Sequence, residues 1–171
     1  MIYDYPPSSD PIRQGDIFVG LPRIDISLNE ILIAGEAEER IATWADIAQG
    51  GQPATIIVPV RPVAAIVATQ DCDALRSRDI TLCEIRDFKD IERKAKDTQS
   101  PKAWKNIITQ HARINQKWFY LPPDRKMGFD RKMGVDFMVT IRVPLQDLAA
   151  LRSLRKGRLN PIADEHFRER I

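Results

Sequence analysis

The chain has 171 residues, 43% of them hydrophobic, which is enough for one domain with a proper core and short for two. Charged residues make up 29% and nearly cancel at a net charge of +2, which excludes strong whole-molecule steering toward nucleic acid or a membrane. With no basic leader and no apolar run of about 18 residues, the sequence predicts a cytoplasmic protein without a membrane span, whose Cys72 and Cys83 are reduced.

The first third of the chain predicts an arm, a hairpin and a helix. Residues 1–11 are rich in Pro, Ser and Asp without periodicity, which is typical of an arm before the fold begins. A Gln-Gly-Asp turn signal followed by residues 17–19 predicts a first strand that Pro22 ends. Alternation over residues 24–29 predicts a second strand, and helical spacing between residues 35 and 51 predicts a short helix.

Strands dominate the following residues up to 150. The apolar runs ATIIVPV and PVAAIVAT predict two strands, and Pro59 and Pro62 confine the first of them to an edge or a bend. ITLCEI, KWFYLPP and VDFMVTIRV predict three more, of which the last alternates most cleanly. An insertion at about residues 88–116 predicts a helix that starts at Ser100 and Pro101 and carries Trp104 and His111.

The tail at residues 151–171 predicts two helices. The first ends near Gly157 and the second is capped by Asn160 and Pro161. Together the elements predict a mainly β protein with helices, of the α+β class. We expect a single domain over residues 12–150, built as a small barrel with a helical insertion, and a helical tail after it.

The apolar strand that ends near Gln70 is followed by Asp71, Cys72 and Asp73. Carboxylates at such a position often accept backbone N–H bonds in a turn. The alternative is a functional site, because a rigid strand holds the residues at its end in a fixed position. A nucleophilic or regulatory Cys72 is the weakest interpretation, since adjacent carboxylates disfavour the negatively charged thiolate.

Other kinds of site are disfavoured by spacing. Cys83, His111 and His166 are the only other Cys and His residues, and they form no CxxC or HxxxH pair, so no metal site is predicted. We interpret His111 as a core residue and His166 as a solvated one. QGGQP at residues 49–53 lacks the Walker lysine and the spacing of a dinucleotide fingerprint, so no cofactor is predicted.

A direct repeat of Asp-Arg-Lys-Met-Gly occupies residues 124–128 and 130–134, and we call residues 124–134 the basic loop. Its cations can bind a phosphodiester backbone and its aromatic ring can stack on a base, the alternative being a hairpin tip kept soluble by charge. The residues concerned are Arg125, Lys126, Phe129, Arg131 and Lys132. Arg61, at the start of the central strand, is placed to present a further fixed cation.

Three segments together resemble the MazF/PemK-like toxin family: IRQGDIFVGL at residues 12–21, VRPVAAIVATQD at 60–71 and GFDRKMGVDFMVTIRVPLQDL at 128–148. They follow the order of the family's first strand, Arg-Pro-Val strand and late strand. The resemblance implies a small SH3-like β-barrel, usually a homodimer, that cuts single-stranded RNA without a metal and is inhibited by a partner antitoxin. The insertions and the tail depart from the compact toxins.

By this resemblance Arg61 matches the family's catalytic arginine, which stabilises charge on the cleaved phosphodiester. The family's second catalytic residue, a Thr or Ser, has no counterpart, because TLCEIRD carries Arg and Asp there. Thr69, Asp71 and Asp73 are the candidates to replace it, with a carboxylate assisting proton transfer. A straight strand would hold Arg61 and Asp71 roughly 30 Å apart, so a shared site requires a curved barrel or a dimer.

The leading hypothesis is therefore a barrel of a bacterial toxin or phage-defence system that acts on RNA or other single-stranded nucleic acid. The rival hypothesis is a catalytically inactive barrel whose helices dock a protein partner within a larger assembly. The missing Thr or Ser favours the rival, and the basic loop favours the nucleic-acid hypothesis.

Overall fold

The fold is described from a computed structural model that covers residues 2–34, 40–74, 76–92, 100–102 and 118–171. Most of the predicted insertion, including its helix with Trp104 and His111, lies outside the described residues. The strands are β1 (Tyr3–Asp4), β2 (Asp16–Ile24), β3 (Ile31–Ile33), β4 (Arg40–Ala42), β5 (Ile56–Ile57), β6 (Val60–Val67), β7 (Asp79–Asp87), β8 (Trp118–Leu121), β9 (Met133–Pro144) and β10 (Arg155–Leu159). The helices are α1 (Trp44–Gly50), α2 (Asp71–Ala74), α3 (Phe88–Glu92), α4 (Leu145–Ala150) and α5 (Pro161–Arg168), with a 3-10 turn at Arg152–Leu154.

The chain forms two compact units, the first made of Met1–Leu21 and Val63–Ile171 and the second of Pro22–Pro62. The larger sheet has seven strands in the order β1-β10-β2-β6-β7-β9-β8, and a three-stranded sheet has the order β4-β3-β5. Both sheets are antiparallel, and the described strands of the larger one do not close into a ring. The predicted class, mainly β with short helices, is confirmed.

Both faces of the seven-stranded sheet are covered by apolar side chains. Successive residues of a strand point to opposite faces, and Ile17 and Ile66 belong to one buried cluster while Phe18 and Val67 belong to the other. This explains the apolar run of β6 from Val63 to Val67, because this part of the central strand has apolar side chains packed on both of its faces. The end of β6, just before Asp71, is held firmly by this packing.

The first half of the tail differs from the prediction. The chain leaves helix α4 at Ala150, and residues 155–159 form β10 between β1 and β2 instead of continuing a helix to Gly157. From this strand, Arg155 and Arg158 reach the fully buried carboxylate of Asp16 at 3.0 and 2.6 Å. The buried charge of Asp16 requires such partners, so pairing with β2 is favoured over the helix.

A glycine also favours strand β10. A Cβ atom at Gly157 would lie 2.6 Å from the sulfur of Met127 and 2.9 Å from the carbonyl oxygen of Asp4. Only a residue without a side chain fits there. Gly157, which the sequence analysis interpreted as the end of a helix, is therefore required inside the sheet. The second predicted helix is confirmed as α5, where Oδ1 of Asn160 accepts the backbone N–H of Ala163.

Part of the predicted arm joins the sheet. Tyr3 and Asp4 form β1, which pairs with β10 at the edge. Residues farther along are held by Arg155, whose guanidinium donates to the carbonyls of Pro7 and Asp10 at 2.6 and 3.1 Å. The first unit therefore begins before residue 12.

The second unit corrects the predicted hairpin. Strand β2 continues through Pro22 to Ile24, and residues 25–30 form no strand. Among the described residues, the helix predicted between residues 35 and 51 is present only from Trp44 to Gly50, as α1, and residues 40–42 of that span form β4. Helix α1 begins with a capping box in which the side chains of Thr43 and Asp46 each accept the other's backbone N–H. Strand β5 lies at an edge of the small sheet, as its flanking prolines predicted.

Candidate functional site

The first candidate site lies at the end of β6, where Asp71 begins helix α2. Oδ1 of Asp71 accepts the backbone N–H of Gln14 at 2.8 Å, and Oδ2 accepts Nη2 of Arg168 at 3.1 Å. The carboxylate thus binds a backbone N–H, as the turn interpretation expected, but from a residue far away in the sequence. It joins the turn before β2 to the end of β6.

Arg168 connects Asp71 to a second carboxyl group. Nη2 of Arg168 lies 2.7 Å from Oδ2 of Asp164, while Oδ1 of Asp164 is buried and has no hydrogen-bond partner among the described residues. Burial raises the pKa of the Asp164 carboxyl above its ordinary value, in opposition to the nearby Arg168 charge. Asp164 therefore holds a proton more readily than an exposed aspartate does, which is a property of general acids.

A cleft of about 220 Å³ opens beside these groups. Its charged lining residues are Asp4, Arg13, Asp71, Arg158, Asp164 and Arg168. Arg158 and Arg168 are already paired with carboxylates, so the charges nearly balance. Arg13 is exposed and pairs with no carboxylate among the described residues, which leaves its guanidinium able to donate to a phosphate oxygen.

Sequence reasoning identified only part of this cleft. Asp71 was predicted from its position after the apolar strand, and Arg13 stands in the first segment that resembles the toxin family. Asp164 and Arg168 lie on α5, and no local pattern connects them to residue 71. Only the packing of α5 within the first unit brings them there.

The two other residues predicted near the end of β6 have different surroundings. The hydroxyl of Thr69 accepts the backbone N–H of Thr81 at 2.8 Å, so it fastens the end of β6 to β7. This bond gives Thr69 a structural role. Asp73 is exposed, and its carboxylate has no partner among the described residues.

Arg61, the residue matched to the family's catalytic arginine, belongs to the second unit, whereas Thr69, Asp71 and Asp73 belong to the first. Its Nε donates to Oδ2 of Asp25 at 3.0 Å, and about half of its side chain is exposed. This hydrogen bond holds the pKa of the Asp25 carboxyl below its ordinary value. The arginine is therefore oriented by a carboxylate within its own unit.

The first copy of the repeat in the basic loop forms a closed turn. Oδ1 of Asp124 accepts the backbone N–H groups of Lys126 and Met127 at 2.8 and 3.1 Å, and the turn ends at Gly128 with a φ of +78°. The hydroxyl of Tyr5 donates to the same oxygen at 2.7 Å, and this bond lowers the pKa of the Asp124 carboxyl. The turn is thereby fixed with the side chains of its two central cations in solvent.

The Tyr5 ring also lies beneath one of these cations. Nζ of Lys126 is 4.3 Å from the ring centroid, a favourable cation–π distance. Arg125 is exposed and pairs with no carboxylate among the described residues. The first copy thus presents one unpaired guanidinium at the tip of a fixed turn.

The remaining predicted residues of the basic loop are placed less favourably. Phe129 is buried and packs edge-on against Tyr3 with ring centroids 6.3 Å apart, so its ring is not exposed in this structure for the predicted stacking on a base. Arg131 is exposed and lies 3.5 Å from Asp87, a long surface ion pair. Lys132 is half-buried. Of the five predicted residues, the aromatic one belongs to the core.

The cysteines do not support a thiol site. Cys83 is buried, and burial together with the charge of Asp136 raises its pKa to about 11. Cys72 is exposed, with Oε1 of Gln70 3.9 Å from its sulfur. The described residues hold no cluster of three or more His, Cys, Asp or Glu side chains that could bind a metal ion. No described helix is both long enough and apolar enough to cross a membrane.

Comparison of the chain with models of protein families, with curated proteins and with solved structures finds no match in any of the three.

Proposed function

We propose that this chain is a MazF/PemK-like protein of the cytoplasm that binds and cuts single-stranded RNA in a toxin or phage-defence system. The observation that carries the proposal is the meeting of two of the resembling segments. They supply β2 and β6, which are neighbours in one sheet, and the bond from Gln14 to Asp71 joins them beside the charged cleft. An antitoxin or another protein partner, and a homodimer, belong to the same proposal.

A register shift between β7 and β9 supports the small barrel that the family implies. Cys83 of β7 pairs with Thr140, but the next residue, Glu84, pairs with Asp136, so residues 137–139 of β9 have no partner on β7. Bulges of this kind bend a strand and increase its twist. Small barrels use such bends to turn one sheet back toward itself. We propose the SH3-like barrel as the fold type on this basis.

RNA binding is assigned to cations of the first unit. Arg13 at the cleft and Arg125 on the basic loop pair with no carboxylate among the described residues, and Lys126, which follows Arg125 on the loop, is also exposed. Such groups bind phosphates without reading the bases. The affinity should therefore fall steeply as salt rises.

Cleavage is assigned to Arg61, which by the family resemblance stabilises negative charge on the phosphodiester. Among the three replacement candidates of the first unit, Asp73 has a carboxylate that bonds to no described residue, whereas the oxygens of Thr69 and Asp71 are engaged by other groups. Thr69 and Asp71 are structural in this proposal.

A mixed RNA pool incubated with the purified chain in EDTA tests the enzymatic part. We expect cleavage by the wild type, a loss of about 100-fold or more in Arg61→Ala, and a partial loss in Arg61→Lys, which keeps the charge without the planar fork. Arg142→Ala is the matched control, because Arg142 is an exposed arginine paired with one carboxylate in the same way. No cleavage, or equal cleavage by Arg61→Ala, would remove the enzymatic claim.

RNA binding is measured separately, by anisotropy of a labelled single strand over a range of salt concentrations. Binding that weakens with salt and loses slope in Arg13→Ala and in the double variant Arg125→Ala/Lys126→Ala supports the RNA-directed proposal. A wild type that neither binds nor cuts RNA contradicts it entirely.

A further inference from the structure

Two charged residues that line the cleft of the first unit pair with no described residue. They are Asp4 and Arg13, and both are exposed. The other charged side chains of the lining are each held by an opposite charge. Asp4 and Arg13 have opposite charges and share one cleft, yet they form no ion pair with each other. The space beside them therefore suits a molecule that brings a positive group to one and a negative group to the other.

The register of the larger sheet places the side chain of Asp4 on the same face as the arginine of the lining. Asp4 of β1 stands directly opposite Arg158 of β10, and Arg158 stands opposite Asp16 of β2. Residues directly opposite in a sheet point to the same face, so these three side chains form one row. Within the row, Nε of Arg158 donates to Asp16 at 2.6 Å. The carboxylate of Asp4 is thereby left for a donor from another molecule.

A buried acceptor follows Arg13 in the lining. Gln14 is only 2% exposed, and its Nε2 donates to the carbonyl of Ala68 at 2.9 Å. This bond fixes the orientation of the amide and leaves Oε1 as an acceptor, which bonds to no described group. A buried acceptor without a donor destabilises the structure that contains it. A ligand that brings N–H groups to this wall of the cleft is therefore favoured.

The size of the cleft indicates one small molecule. Its volume of about 220 Å³ is below the roughly 300 to 1,000 Å³ of the pockets that hold drug-sized ligands. An amino acid is small enough, and it carries an ammonium group, which is rich in N–H donors, next to a carboxylate. The ammonium group matches the two acceptors, Asp4 and Oε1 of Gln14. The carboxylate matches the planar fork of the Arg13 guanidinium.

We propose that the cleft is a binding site for a free α-amino acid, whose carboxylate binds Arg13 and whose ammonium group binds Asp4 and Gln14. The other charges of the lining are paired, which favours an amino acid with an uncharged side chain. The site does not depend on action on RNA. Because Arg13 is also one of the cations assigned to RNA, a bound amino acid would compete with RNA phosphates for this arginine.

Thermal denaturation of the full chain with each uncharged standard amino acid at about 10 mM tests the proposal. We expect at least one of them to raise the melting temperature by about 2 °C or more, and calorimetry then gives its Kd. Two partial ligands are compared with it: the same molecule without its amino group and the same molecule without its carboxylate. Each should bind at least about tenfold more weakly, because it reaches only one of the two unpaired charges. No rise with any amino acid, or equal binding of a partial ligand, would overturn the proposal.

Variants test whether the two unpaired charges hold the ligand. Arg13→Ala and Asp4→Ala should each weaken the binding of that amino acid at least about tenfold, with circular dichroism to verify folding. Arg125→Ala and Asp73→Ala are the matched controls, because these residues of the first unit are also exposed and their side chains pair with no described residue. Both controls should bind as the wild type does, and an equal loss in them would contradict a specific site.

Inorganic phosphate tests the other class of ligand that a free arginine attracts. Phosphate would need Arg13 but would be repelled by the carboxylate of Asp4, so Asp4→Ala should strengthen its binding. Tighter binding of phosphate than of every amino acid by the wild type, strengthened further in Asp4→Ala, would make the cleft an anion site and overturn the proposal.

Discussion

The backbone N–H of Gln14 donates a hydrogen bond of 2.8 Å to Oδ1 of Asp71, across 57 positions of the sequence. This bond gives the end of β6 a fixed relation to the turn that begins β2. The same carboxylate also meets Arg168 of α5. Three separate parts of the first unit therefore depend on one side chain.

Replacing that side chain should measure the value of the bond. We expect Asp71→Ala to lower the free energy of unfolding by about 1 to 3 kcal/mol, because the partly buried N–H of Gln14 loses its acceptor. Asp71→Asn keeps an oxygen at the same place and should cost less. Asp73→Ala is the control and should stay within about 0.5 kcal/mol of the wild type, since its exposed carboxylate bonds to no described residue. Urea denaturation decides, and equal stability of the two alanine variants contradicts the role of Asp71.

The buried pair of Asp16 and Arg155 should be worth more. Asp16 is fully buried, and Arg155→Met leaves it with Arg158 as its remaining cation, so we expect a loss of roughly 3 kcal/mol. The carbonyls of Pro7 and Asp10 lose their donor in the same variant, so limited proteolysis should cut residues 7–11 faster.

The control for this variant is Arg142→Met, which breaks the exposed ion pair with Asp79. It should change the free energy of unfolding by less than about 1 kcal/mol and leave the proteolysis pattern unchanged. If Arg155→Met were as stable and as resistant as Arg142→Met, the buried pair would not be what holds the arm.

The tyrosines predict an alkaline transition. Burial raises the pKa of Tyr3 and of Tyr120, and burial with the Asp124 hydrogen bond raises the pKa of Tyr5 to about 12. Because each folded pKa lies above the unfolded value near 10, the corresponding stability is complete below about pH 10 and is lost as the pH rises toward about 12. At about pH 10 the phenolate absorbance of the folded protein should therefore be lower than that of the protein unfolded in urea, whose tyrosines titrate there.

Tyr5→Phe tests the assignment of this transition. It should remove the component near pH 12. If Tyr5→Phe and the wild type showed the same absorbance change near pH 12, the hydroxyl of Tyr5 would not be held by Asp124.

Variants of the basic loop distinguish its contribution to the core, through Phe129, from its contribution to RNA binding. We expect Phe129→Ala to lower the free energy of unfolding by about 3 to 5 kcal/mol, as a buried ring does. Phe129→Leu should fold and keep the RNA affinity of the wild type. The double variant Arg125→Ala/Lys126→Ala should keep the stability but lower the slope of log affinity against log salt by about 1.4, one increment for each lost phosphate contact. Weaker RNA binding by Phe129→Leu than by the double variant would restore the stacking role.

The repeat in the basic loop shows that a local sequence pattern does not by itself determine local structure. Asp-Arg-Lys-Met-Gly forms a closed turn at residues 124–128, where Tyr5 binds Asp124 and Met127 is buried. The same five residues at 130–134 lead into β9, where Gly134 pairs with Tyr120 of β8 and with Arg86 of β7. Identical sequences therefore have different structures, because the groups that contact them differ.

What the sequence by itself determined is what depends on neighbouring residues. The α+β class, the apolar central strand β6, the capped helix α5 and the edge position of β5 all follow from periodicity, proline and capping signals. These signals depend on residues that are close to one another in the sequence, so they can be recognised before the fold is known. The resemblance to the toxin family likewise depends on short segments.

Only the tertiary structure decided which distant residues meet. Residues 155–159 form a strand and not a helix because Asp16 is buried and needs the guanidinium groups of Arg155 and Arg158. In the same way Asp71 acquired Gln14 and Arg168 as partners. A buried charge must find its partners wherever the chain brings them, at any separation in sequence, and its cost outweighs the small propensities that local patterns express.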